Sequence, residues 1–213
     1  MVIDMKKNSW IKKADYIWTY YKGWFFTALL LTGTLCFLIH TFAGEEREEI
    51  LSGMLINQFL DTEVTKRLEE EMLAAVQGDA QKEKVYLDTS VTLDLEAQDA
   101  DTMANLGKIT TYVFGRELDF MIADPETAGH FAGLNGLADV RTCLPESLLE
   151  ELEEKNRLFY AEAGTVEIPC GIRLAGTEFA GRYGIKLEDP VFCIINNSKR
   201  QENAAAVIEW IFG

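Results

Sequence analysis

Histidine is nearly absent from this chain: there are two in 213 residues, beside four cysteines and four prolines. That scarcity excludes several chemistries. Zinc sites need imidazoles and thiolates at short, regular spacings. Here only His130 lies beyond residue 43, and Cys143, Cys170 and Cys193 are scattered, so no metal is expected. A Cys–His nucleophilic centre fares no better. His130 precedes Cys143 by thirteen residues, on what reads as one helix–turn unit, although Arg141-Thr142-Cys143 invites the comparison. There is no Gly-x-Ser-x-Gly elbow, no phosphate-binding P-loop and no dinucleotide fingerprint, so no cofactor is implied and the chain reads as a non-enzyme. Carboxylates are abundant, but without a pocket they read as a solvated surface.

Basic residues are also short, 20 against 35 acidic, for a net charge of −15. The deficit is uneven. Residues 1–23 hold five lysines against two aspartates, about +3, which leaves about −18 for the rest. So acidic a body is repelled by nucleic acid and by anionic lipid. The three cysteines beyond residue 43 are an odd number, not a disulfide framework. Cys143 and Cys170 can pair, or all three stay as buried free thiols.

One long apolar run stands out. From Trp24 to Ala43 there is no charged side chain unless His40 is protonated, and a helix of that length spans roughly 30 Å, the hydrocarbon thickness of a bilayer. Lys6, Lys7, Lys12, Lys13 and Lys22 precede it and Glu45-Glu46-Arg47-Glu48-Glu49 follows it. Lysine-rich flanks stay in the cytoplasm, so 24–43 reads as a transmembrane signal anchor with residues 1–23 cytoplasmic and the remainder extracytoplasmic. A cleaved signal peptide has a shorter apolar region and a small-x-small exit, and a buried core helix has a polar face. Trp10, Ile11, Ala14, Ile17, Trp18 and Tyr21 give 1–23 an amphipathic pattern suited to the inner membrane face. Residues 44–49 form a short polar linker.

Residues 50–213 alternate between strand and helix periods. Ile50–Asn57 reads as a buried strand, followed by a helix capped at Asp61 or Thr62 and closed at Gly78. Lys84–Leu93 reads as a strand, then a helix capped at Asp99 or Asp101 turns Met103, Leu106, Thr110, Val113 and Phe114 inward. Leu118–Ala123 is short and almost wholly apolar, like a central parallel strand. Asp124-Pro125 then supplies an N-cap and a first helical residue. Leu137–Val140 reads as a connecting strand, Pro145 to about Arg157 as a helix, and Leu158–Tyr160 with Val166–Leu174 as a paired return. Asp189–Asn196 is a last strand, and Ser198-x-x-Gln201 a capping box that opens the closing helix. The expected fold is α/β: one external domain with a largely parallel, mixed sheet behind an N-terminal transmembrane helix.

The passage Gly115 to Asp139, with a helix ending in glycine, a strand bracketed by Asp119 and Asp124, a short helix and Gly136-Leu137-Ala138-Asp139, resembles extracellular solute-binding proteins of the type 2 periplasmic-binding class. Val166-Glu-Ile-Pro-Cys-Gly-Ile172 and Phe192–Phe212 are similar to later parts of that family. The resemblance implies a periplasmic-binding-protein-like lobe and a setting in membrane transport. It carries over no ligand, since the family uses two lobes and a lipid-bearing cysteine and this chain has neither the length nor that cysteine. A surviving site belongs at the carboxyl ends of parallel strands, which places Asn57, Gln58, Asp88, Thr89, Ser90, Asp124, Glu126, Asn196 and Asn197 there. The expected function is a single-pass accessory or binding subunit of a transport or export assembly at the cell membrane. Its partners would be the bilayer through 24–43 and integral membrane proteins. The alternative is a membrane-anchored sensor binding a small solute.

Overall fold

In the computed structural model, residues 3–42, 47–97 and 99–213 are described, with side chains in the first stretch described for Tyr16 and for 18–37. The chain divides into two compact units, Met1–Glu46 and Arg47–Gly213. The first contains one helix, α1 (Ile3–Phe42). Every described side chain on it is exposed. Among the described residues, no helix is long and apolar enough to cross a membrane. The side chains of 38–42 in the expected span and of Trp10, Ile11, Ala14 and Ile17 in the expected amphipathic face, like residues 43–46, lie outside what is described.

The second unit is an α/β domain. Its elements are β1 (Glu48–Leu55), α2 (Thr62–Ala75), β2 (Glu83–Asp88), α3 (Ala100–Gly115), β3 (Phe120–Ala123), α4 (Pro125–Gly133), α5 (Glu146–Glu154), β4 (Leu158–Ala163), β5 (Val166–Arg173), α6 (Glu178–Tyr183), β6 (Val191–Ile194) and α7 (Gln201–Phe212). They build one six-stranded sheet in the order β2-β1-β3-β6-β5-β4. β1 pairs in parallel with β2 and β3, as crossover helices demand. From β6 onward every pairing is antiparallel. The sheet is therefore mixed, parallel in the half built first and antiparallel in the half built last.

Strand alternation sorts the core onto two faces. Phe120, Ile122, Phe192 and Ile194 belong to one apolar cluster with Leu68 and Met72 of α2 and Val207 and Ile208 of α7. Met121, Ala123, Val191 and Cys193 belong to the other, with Ile109 and Val113 of α3 and Phe131 of α4. The Phe120 and Phe192 rings stack with centroids 4.6 Å apart. Gly53, which pairs with Phe120, leaves room for that ring, because a Cβ there would sit 2.1 Å from Phe120 Cζ.

Several expected boundaries and faces shift. β2 stops at Asp88 rather than Leu93, because the Asp88 carboxylate accepts from the Ser90 N–H and hydroxyl and turns the chain. On α3, Ile109 and Val113 are the buried residues, whereas Met103 and Phe114 point outward. The expected strand at 137–140 is a single bridge from Leu137 to Ile195, followed by a 3-10 turn at Val140–Thr142. The expected capping box does not form: α7 begins at Gln201 with no side-chain cap, and the Ser198 hydroxyl is engaged elsewhere. All four cysteines are free; Cys170 and Cys193 are fully buried, Cys143 is half-buried and Cys36 is exposed.

Candidate functional site

β1, β2 and β3 run parallel, so their carboxyl ends share one edge of the sheet. Asn57 sits just past β1 with a left-handed φ of 61°. Its amide closes on the backbone of Leu93: Oδ1 accepts from the Leu93 N–H at 2.7 Å, and Nδ2 donates to the Leu93 carbonyl at 2.8 Å. Nδ2 also reaches Asp124 Oδ2 at 3.1 Å. Asp124 caps α4, accepting from the Thr127 N–H at 2.8 Å and the Thr127 hydroxyl at 3.0 Å. Asn57 and Asp124 thus meet, and together they fasten the loop after β2 to the ends of β1 and β3.

The other expected residues are similarly engaged. Gln58 is buried, accepts from the Lys186 N–H at 2.6 Å and donates to the Phe59 carbonyl at 2.9 Å. Asp88 pairs with Lys108 at 2.6 Å. Burial opposes the Asp88 charge, but Lys108 and the two bonds from Ser90 outweigh it and hold the carboxyl below its usual range. Thr89 is half-buried beside them, and Glu126 is exposed in the first turn of α4. Asn196 and Asn197 lie elsewhere. β6 is antiparallel to β3, with Ile194 opposite Phe120, so both asparagines fall at the amino end of the parallel strands. There Asn196 donates to the Asn135 carbonyl at 3.2 Å and Asn197 to the Phe114 carbonyl at 3.5 Å.

That amino end holds the domain's principal buried polar network. Asp119 is completely buried. Its carboxylate accepts from the Ser52 N–H at 2.7 Å, the Ser198 hydroxyl at 2.6 Å and Arg200 Nε at 2.8 Å. Arg200 also donates to the Glu49 carbonyl. One side chain therefore ties β1, the entry to β3 and the approach to α7. The aspartates bracketing β3 act as a pin at one end and a cap at the other. Asp119 stands in the passage that carries the family resemblance, but nothing local in the sequence names its partners.

Among the described residues, clefts lie away from this network. One of about 340 Å³ runs between α2 and β2, lined by Arg47, Lys66, Glu69, Glu70, Lys84 and Tyr86 among others. One of about 220 Å³ is walled by Phe179, Arg182, Tyr183 and Trp210. One of about 270 Å³ lies between α5 and the end of α7, beside Leu148 and Phe212. Tyr183 is held by its surroundings: burial and then the Glu71 carboxylate push its phenol up to about 12, while Arg67 and Arg182 lie 5.7 and 5.6 Å from its ring centre. Among the described residues, no group of three or more His, Cys, Asp or Glu side chains is placed to hold a metal ion.

No family model matches the chain, and no curated protein or solved structure matches it.

Proposed function

We propose that the protein is a single-pass, membrane-anchored, non-enzymatic binding subunit whose external α/β unit docks on integral membrane partners of a transport or export assembly. The observation that carries this reading is the exposure of every described side chain of α1, with no face covered. Trp24, Phe25, Phe26, Leu29, Leu30, Leu31, Leu35 and Phe37 are all solvent-exposed within their own unit. Side chains this large and apolar, with no polar face between them, call for a non-aqueous surrounding. The polar residues in the run fit the same solvent. Thr27, Thr32 and Thr34 each return the hydroxyl to the carbonyl four residues back, at 2.8, 2.8 and 2.9 Å, leaving none of these three hydroxyls in need of water. The lysine-rich segment before the run and the acidic one after it orient the chain with Arg47–Gly213 outside.

The assignment to transport rests on the resemblance of residues 115–139 to solute-binding proteins. The periplasmic-binding-like lobe belongs to the same proposal. Docking is preferred over solute sensing because the polar groups at the carboxyl edge are already engaged: Asn57 and Asp124 bond to each other and to neighbouring backbone, and Asp88 accepts from Ser90 and Lys108. The experiment is affinity purification of the full chain in mild detergent. The expected result is co-purification with a stoichiometric integral membrane protein. A lone monomer stabilised against heat by a small metabolite would overturn the docking reading in favour of a sensor.

A further inference from the structure

The β2 edge of the sheet combines an open strand, an internal plug and unpaired cations. Among the described residues β2 has one strand neighbour, β1. The Glu48 N–H donates to the Lys82 carbonyl at 2.7 Å, which fixes the alternation: residues 82, 84 and 86 turn their backbone toward β1, and 83, 85 and 87 turn theirs away. Of the outward groups, the Glu83 N–H is taken by the Asp79 carbonyl at 2.7 Å. The Leu87 N–H is taken by a side chain, Glu69 of α2, at 3.0 Å. Glu69 thus occupies the position where a carbonyl of an added strand would sit. Burial raises its pKa, and the Leu87 N–H, Lys66, Lys84 and Arg47 counter that only in part.

The groove between α2 and this edge is lined by Arg47, Lys66 and Lys84. None of the three forms an ion pair among the described residues, whereas Lys82, Lys108, Arg141, Lys155, Arg173, Arg182 and Arg200 do. Leu73 and Val85 supply an apolar floor, and Tyr86 remains exposed at the rim. In a body with so large an acidic excess, a groove in which cations outnumber carboxylates is complementary to an acidic segment and repels a basic one.

We infer that the α2–β2 groove is a strand-addition site for an extended acidic segment of a partner protein, with Glu69 as the plug that the incoming strand displaces. The segment hydrogen-bonds to the outward backbone of Val85 and Leu87, and its carboxylates pair with Arg47, Lys66 and Lys84. The outward stretch from Glu83 to Leu87 matches about five residues of partner strand. This names a docking surface for the function proposed above and rests on that reading only in assigning docking to the external unit.

The test uses the full chain in mild detergent and an end-blocked peptide of about seven residues alternating valine and glutamate, followed by fluorescence anisotropy. The peptide is expected to bind, Glu69→Ala to tighten binding about tenfold by removing the plug, and Lys66→Glu with Lys84→Glu to weaken it about tenfold or more. Lys66 is exposed and Glu69 and Lys84 are half-buried at the sheet edge, so an unchanged urea midpoint is required of each variant before its affinity is read. A copy of the peptide N-methylated at alternate amides is expected not to bind. The inference is overturned if the methylated peptide binds equally, if Glu69→Ala leaves affinity unchanged, or if Glu69→Ala makes the chain dimerise without taking up peptide. A chain that stays in the membrane but ignores the peptide refutes this inference alone. One that takes up the peptide but washes off the membrane refutes only the anchoring.

Discussion

Replacing Asp119 by alanine removes the acceptor for the Ser52 N–H, the Ser198 hydroxyl and Arg200 Nε in one step. Breaking a buried ion pair by deleting one partner costs about 3–5 kcal/mol. Here the Arg200 side chain keeps 27% of its exposure and can recover some hydration, which favours the lower end for that pair. Ser52, by contrast, is only 3% exposed, so its orphaned N–H adds about 1–3 kcal/mol. A destabilisation of about 4 kcal/mol follows. Urea unfolding of the full chain in detergent reads it, because Trp210 is the one tryptophan beyond residue 24 and reports on the external unit. With a slope of about 2 kcal/mol per molar urea, the midpoint falls by about 2 M. Arg200→Ala combined with Asp119→Ala is expected to cost less than the sum of the two, with a coupling of about 1–3 kcal/mol. If Asp119→Ala lies within about 1 kcal/mol of the parent, the network is not the clamp described above.

Asn57→Ala loses both bonds to Leu93 and forces alanine into a left-handed conformation, so it is expected to destabilise by about 2–3 kcal/mol. Asn57→Gly should recover about 1 kcal/mol of that in the same urea assay; equal losses would refute the backbone component. Native alkylation is expected to label half-buried Cys143 and to spare Cys170 and Cys193, whose thiols burial pushes up, to about 11 for Cys170, until the chain unfolds. Mass spectrometry of the labelled peptides checks this, and native labelling of Cys193 would contradict it. Asp88 is held below its ordinary value of 3.8, so its stabilisation is present above that value and is lost as pH falls through the depressed one. Lys108→Gln is therefore expected to cost about 1 kcal/mol near pH 7 and progressively less toward pH 2, as read from urea midpoints across that range. A constant difference would show that the pair contributes nothing through charge.

Features set by neighbouring residues were legible before the structure. Asp124-Pro125 opens α4 as cap and first residue, and Asp99 caps α3 through the Thr102 N–H, because an N-cap needs only the next few residues. Leu158–Ala163 and Val166–Arg173 form the expected hairpin. Features that depend on distant partners were not legible. α6 has six residues, too few for a helical period to register. The inward face of α3 is narrower than its period suggests, since Met103 and Phe114 flank the buried Ile109 and Val113 stripe and periodicity alone does not set its edge. The Ser198-x-x-Gln201 pattern matches a capping box, yet the Ser198 oxygen accepts from the Arg200 N–H while its hydroxyl donates to Asp119, 79 residues away in sequence, and the Gln201 amide donates to the Ile195 and Asn196 carbonyls. The direction of β6 is likewise a matter of pairing rather than of local signal. It moved Asn196 and Asn197 to the opposite end of the sheet from Asn57 and Asp124. The β2 groove has no local signal, because its cations come from the residue before β1, from α2 and from β2.

The central claim is that α1 holds the protein in a bilayer, and the fraction of chain left in the membrane pellet after an alkaline carbonate wash tests it most directly. The account predicts that the native chain stays in the pellet, and that Leu30→Glu with Leu31→Glu, which places two charges within the apolar run, releases it. Recovery of the native chain in the wash would contradict the account.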